Sequence, residues 1–110
     1  MHMNVYQALA SRTVDRSLAR EDMTRHALFG MAAEVGELQG IYQKMYQGHD
    51  LDYTHLKKEV GDVLWFLAEF CMANGWMLAD IAKMNIDKLR ERYPVGFDPE
   101  RSLHRKEGDI

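Results

Sequence analysis

Two short runs carry most of the chemistry this chain offers: Glu34-Val35-Gly36-Glu37 and Glu59-Val60-Gly61-Asp62. Each sets two carboxylates three residues apart, a spacing that puts both on one face of a helix. Counting ~100° per residue, Phe66 projects between Glu59 and Asp62, with Val63 and Phe70 beside them. Gly30 and Ile41 flank the two glutamates in the same way. The acids therefore border an apolar face instead of lying in the middle of a solvated one. Four carboxylates converging there repel one another, so the cluster persists only if the groups protonate, meet cations or hold a metal. Hard oxygen donors suit Mg²⁺ or Mn²⁺ and not zinc. A di-iron bundle needs Glu-x-x-His pairs, and neither quartet has a histidine at that spacing. A lone ExxE is an ordinary acidic face; two of them on neighbouring helices make a candidate metal centre.

The elements that must position these acids are helical. Both prolines, Pro94 and Pro99, lie near the end of the sequence, and little of what precedes them is β-branched. Asn4 and Gln7 resemble a capping box, which predicts a first helix from about Val5. After a polar break near residues 17–22, Ala27, Met31, Leu38, Tyr42 and Met45 recur at helical spacing, predicting a second helix over about 23–46. The tract QGHDLD reads as a loop, with Gly48 as the stop and Asp50 or Asp52 as the next N-cap. A third helix is expected over about 53–73, ended by Asn74-Gly75, and a fourth over about 78–92. Residues 94–110 read as an extended polar tail. The expected fold is all-α: an antiparallel bundle of about four helices in one domain spanning residues 1–110. Gly36 and Gly61 each cost ~1 kcal/mol relative to alanine in a helix. They project away from the acids, and are expected to admit another helix or chain from behind.

Composition narrows the class. Hydrophobic residues make up 46% of 110, enough for a core, and the net charge of −3 argues against nucleic-acid binding. The single Cys71 sits in the apolar run WFLAEFCMA and reads as a small buried hydrophobe, which suits a reducing cytoplasm. Glu69 breaks the longest apolar run, so no membrane span is expected, and the N-terminus shows no signal-peptide pattern. No phosphate-binding loop or cysteine nucleophile motif is present. A magnesium cluster without a phosphate loop points to a substrate that brings its own phosphates, with a carboxylate activating water for in-line attack.

The runs HALFGMAAEVGELQG, GHDLD, EVGDVLWFLAEF and IAKMNIDKLRERYPVGF, with a closing RS..R, resemble the MazG-like nucleotide pyrophosphohydrolases of the all-α NTP pyrophosphohydrolase superfamily. The resemblance extends from about Tyr6 to Arg105. It implies hydrolysis of a (deoxy)nucleoside triphosphate between the α and β phosphorus, giving the monophosphate and pyrophosphate, often to cleanse the nucleotide pool. It implies Mg²⁺ (or Mn²⁺) on Glu34, Glu37, Glu59 and Asp62, and assembly as a homodimer or homotetramer. Glu34 and Glu37 are the catalytic candidates, with Glu37 the one expected to orient or deprotonate the attacking water. Met77 departs from the family pattern, standing where a helix-capping serine is common. Competing readings are a phosphoribosyl-ATP pyrophosphohydrolase, a dUTP- or dCTP-specific hydrolase, and a helical interaction module without catalysis.

Further substrate contacts are candidates beside bland alternatives. Lys44 shares a sector with Glu37 and is either a phosphate contact or a surface lysine. Asn85 and Lys88 lie one turn apart and match the family's NxxK, pointing to phosphate or ribose. Phe66 is the better-placed aromatic for stacking on a base, ahead of Trp65, with core packing as its default. His26 lies two turns before Glu34, where it reaches either the base and sugar or solvent. Arg92 could reach a phosphate, but it reads first as a last-turn arginine favoured by the helix dipole.

Overall fold

The computed structural model describes residues Met1–Ile110 and is all-helical, with five α-helices and no strand. Two compact units are present, residues 1–78 and residues 79–110.

In the first unit, α1 (Met3–Ala10) leads through a 3₁₀ turn (Ser11–Thr13) to α2 (Arg20–Tyr46), and α3 (Tyr53–Ala73) follows. The capping box expected at Asn4 does not form. The helix begins at Met3 with His2 at the N-cap and no side-chain cap bond. Gln7 is instead buried and works at long range. Its Nε2 donates to the Trp76 carbonyl at 2.9 Å, and its Oε1 accepts from the Leu78 amide at 2.7 Å. That amide opens α4, so a distant glutamine satisfies one of the leading N–H groups that have no partner within the helix.

The two long helices end in the same way. Gly48 (φ 96°) and Gly75 (φ 71°) take the left-handed conformation just past α2 and α3. His49 N–H donates to the Lys44 carbonyl and Gly48 N–H to Met45; Trp76 and Gly75 repeat the pattern on Cys71 and Met72. Each glycine thereby reverses the chain while the last carbonyls keep partners. Asp52 caps α3 by accepting from the His55 amide at 3.0 Å.

The short loop returns α3 antiparallel along α2, and side-chain pairs fix the register. Near the start of α2, Arg20 and Thr24 meet Asn74 just past the end of α3. One turn further, His26 meets Glu69, and Gly30 then lies under Phe66. A Cβ at Gly30 would overlap the Phe66 ring, so this glycine is where the helices come closest. Gly36 and Gly61 have open space around them within the chain. Ala10, Ala68, Cys71 and Leu78 form the buried cluster, with Tyr6 and Trp65 packed against it. Trp65 Nε1 donates to Thr13 Oγ1 at 2.8 Å, which ties its indole to the turn after α1.

The second unit consists of most of α4 (Leu78–Arg92) and α5 (Pro99–Leu103). The tail is not wholly extended as the sequence reading has it: Asp98 accepts from the Glu100 amide and Pro99 occupies the first turn, starting a five-residue helix. The two residues are a helix-start signal in their own right. Tyr93 packs on Phe97 with ring centroids 5.4 Å apart.

Candidate metal centre

The register that brings His26 to Glu69 and Gly30 to Phe66 brings the next turn of α2, Glu34, opposite Glu59 and Asp62 on α3. Each of these three acids offers a carboxylate oxygen, and the three oxygens lie within 4.8 Å of one another. Glu34 and Glu59 are half-buried and Asp62 is exposed. Glu34 Oε2 is shut off from solvent and has no hydrogen-bond partner. A polar atom left in that state costs roughly 1–3 kcal/mol, more when charged.

The electrostatics follow from this crowding. The Glu34 carboxyl is pushed up to about 7 from 4.5. A proton shared with Glu59 is the main cause, followed by burial and then by the charges of Glu59, Asp62 and Glu37. The Tyr6 phenol is also raised, chiefly by burial and secondarily by the Asp62 charge, which places α1 beside the cluster. His55, one turn before Glu59, sets its Nε2 3.2 Å from Glu59 Oε1. An orphaned buried oxygen, three converging hard donors and a carboxyl forced to keep its proton together fit a hard divalent cation.

Glu37 is exposed and stands outside the three-carboxylate group, although its charge reaches Glu34. Phe66 sits against Gly30, edge-on to Trp65 at 5.1 Å and 5.8 Å from the His26 ring. His26 Nδ1 lies 2.7 Å from Glu69 Oε1. Glu69 is fully buried, while about half of the His26 side chain remains open to solvent. The sequence reading passed over Glu69 as a break in an apolar run; a lone acid on an apolar helix face, with a histidine on the neighbouring helix, is the signal it carried. Lys44 is exposed in the last turn of α2. Asn85 and Lys88 are exposed on α4 in the second unit. Arg92 does more than complement a helix end: its Nε and Nη2 donate to both carboxylate oxygens of Asp109, at 2.9 and 2.7 Å.

A helical domain whose antiparallel pair aligns ExxE with ExxD is the arrangement the sequence resemblance calls for. The MazG nucleotide pyrophosphohydrolase domain matches residues 24–97, two-thirds of the chain and all four of these acids. The chain belongs to the MazG nucleotide pyrophosphohydrolase family. It is also similar to the Gene 37 protein of Mycobacterium phage L5, with 27% identity over 105 residues that cover 87% of this chain and 92% of that protein. No solved structure matches it significantly. No helix is long and apolar enough to cross a membrane.

Proposed function

We propose that the chain hydrolyses (deoxy)nucleoside triphosphates between the α and β phosphorus in a Mg²⁺-dependent reaction, and that its role is to cleanse the nucleotide pool. The observation that carries this reading is the convergence of Glu34, Glu59 and Asp62 around the orphaned Glu34 oxygen, in a chain of the MazG family. Glu34, Glu59 and Asp62 would hold the divalent ion, with Glu37 completing the set of four acids. The ion, when bound, neutralises phosphate oxygens and favours a leaving pyrophosphate.

The residues divide the remaining work. Glu37 is solvent-accessible and less tightly gathered than the other three, which suits it to accept a proton from the attacking water. Glu34 would hold the ion as an ionised ligand, having lost the proton it shares with Glu59. His55 orients Glu59 from one turn away. His26, anchored by Glu69 through Nδ1, keeps about half of its side chain open to solvent and is placed to meet the base or sugar. It lies two turns from Glu34, about 12 Å at the helical rise, a span compatible with a nucleotide whose phosphates lie at the acids. Phe66 lies between these two points on the same face. Lys44, Asn85 and Lys88 are further phosphate or ribose contacts.

Residues 1–110 work as a single catalytic domain, a reading supported by a family match that runs through both compact units. The working form is a homodimer or homotetramer in the cytoplasm. Leu28, Phe29, Val35, Leu64 and Leu67 are exposed on α2 and α3, apolar surface that a second copy of the chain would cover. A panel of canonical nucleoside triphosphates, assayed with Mg²⁺ for pyrophosphate against orthophosphate, tests the reaction. Pyrophosphate and the monophosphate are the expected products; orthophosphate as first product excludes α–β cleavage, and Mg²⁺ binding without any product favours an interaction module.

A further inference from the structure

Glu69 is the largest side chain in the molecule to be shut off from solvent completely, and the hydrolase reading gives it only the task of anchoring His26. It lies on α3 among the buried residues Ala68 and Cys71. Its one polar partner is the His26 ring, whose Nδ1 stands 2.7 Å from Oε1 and 3.0 Å from Oε2. No lysine or arginine pairs with it. A second acid, Asp15, is within electrostatic reach of the same ring. Its carboxyl is held low chiefly by the Ser17 hydroxyl, then by the Ser17 amide, and least by the His26 charge. The other edge of the ring is open: about half of the His26 side chain is exposed, and Nε2 has no partner within the chain.

A charge wholly out of water persists only when it is matched. The pair achieves this in two arrangements: a carboxylate against an imidazolium, or a carboxylic acid donating to Nδ1 of a neutral ring. In both, Nε2 carries a hydrogen. The third arrangement, a carboxylate beside a neutral ring with its hydrogen on Nδ1, leaves Nε2 a bare acceptor and buries an unmatched negative charge. Charge balance therefore makes the exposed ring edge a hydrogen-bond donor, wherever the shared proton sits. Phe66 stands between the acids and His26. A base lying on Phe66, with its phosphates at the acids, turns the edge farthest from its sugar toward His26. On that edge a keto oxygen accepts and an amino group donates. We propose that Glu69 is a positioning residue that keeps a hydrogen on His26 Nε2, and that His26 thereby selects nucleoside triphosphates whose base carries a keto oxygen there, as uracil and hypoxanthine do, over cytosine and adenine with their amino groups. This selection rests on the hydrolase reading, because the acids fix the phosphate end; the hydrogen on Nε2 does not.

The test uses the full chain with Mg²⁺ and two matched pairs of substrates, dUTP against dCTP and ITP against ATP, whose members differ along that edge. A hydrogen bond gained by one member and denied to the other is worth about tenfold or more, so kcat/KM for pyrophosphate release is expected to favour the keto member of each pair by that factor. His26→Phe alone strands the buried carboxylate, so the variant used joins it to Glu69→Leu and removes both partners together. This double variant is expected to hydrolyse the two members of each pair with similar efficiency. Loss of mere structural support would slow all four reactions alike and leave the ratios standing. In the metal-free wild type at pH 8, above the ordinary histidine range of about 6.5, long-range proton–nitrogen spectra should show His26 Nε2 bearing its hydrogen. That readout needs neither a variant nor a substrate. All four triphosphates left intact would overturn the hydrolase reading and the base selection with it. An active enzyme that treats each pair alike or favours its amino member, that keeps its preference in the double variant, or that shows a bare Nε2 would overturn this inference alone.

Discussion

The Glu34 carboxyl provides the most quantitative handle on the metal centre. It is held at about 7 instead of 4.5, and it must be ionised to serve as a ligand. At pH 8 about nine-tenths of the chains carry it ionised, and at pH 6 about one-tenth, so divalent-ion affinity should fall about tenfold between the two. An ordinary carboxyl would be ionised at both and would give no change. Binding at pH 6 should release close to one proton per ion, and at pH 8 very little, as read by calorimetry in buffers of different ionisation enthalpy. Stability without metal moves the opposite way. A carboxyl whose folded pKa is raised stabilises the fold fully below about 4.5 and loses that contribution as pH rises through about 7. The metal-free chain should therefore lose melting temperature across this window through Glu34, and Mn²⁺ should restore more of it at pH 8 than at pH 5. Affinity that is flat from pH 6 to pH 8, with no proton released, would refute the account of the crowded cluster.

Other consequences can be checked separately. Glu37→Gln should lower pyrophosphate release by at least about 100-fold, as expected for loss of a general base, while leaving the helical circular dichroism close to wild type. Gly30→Ala gains ~1 kcal/mol of helix propensity but forces Phe66 aside, an overpacking cost of about 1–3 kcal/mol; urea denaturation should show a net loss and nucleotide turnover should drop. Gln7→Ala leaves the buried Leu78 amide without its acceptor, and should destabilise the chain by about 1–3 kcal/mol in the same denaturation assay. Sedimentation equilibrium should return a dimer or tetramer mass, and a single-chain mass at micromolar concentration would contradict the oligomer reading.

Local signals were the legible ones. Asp52, Gly48 and Asn74-Gly75 mark the ends of α2 and α3 because caps and left-handed glycines act on their immediate neighbours. The three-residue spacing of the acids likewise puts each pair on one face without help from any tertiary contact. What the sequence does not display is register between helices. Gly30 accommodates Phe66, and His26 finds Glu69 43 residues away, only once α3 has folded back along α2. The same geometry decides that Glu34, Glu59 and Asp62 gather while Glu37 stands apart. Two local readings went astray for identifiable reasons. Gln7 has the spacing of a capping-box residue, but burial against the α3–α4 turn gives its amide two stronger claims. Asp98-Pro99 reads as part of an extended tail because the short helix it starts buries no residue and leaves no apolar period to detect.

Crystals soaked in Mn²⁺ and measured at its absorption edge give the most direct answer. The account predicts an anomalous peak coordinated by Glu34, Glu59 and Asp62, lost in Glu34→Gln. A Mn²⁺ peak elsewhere, or none in crystals whose dissolved protein still turns over nucleotide with Mn²⁺, would contradict it.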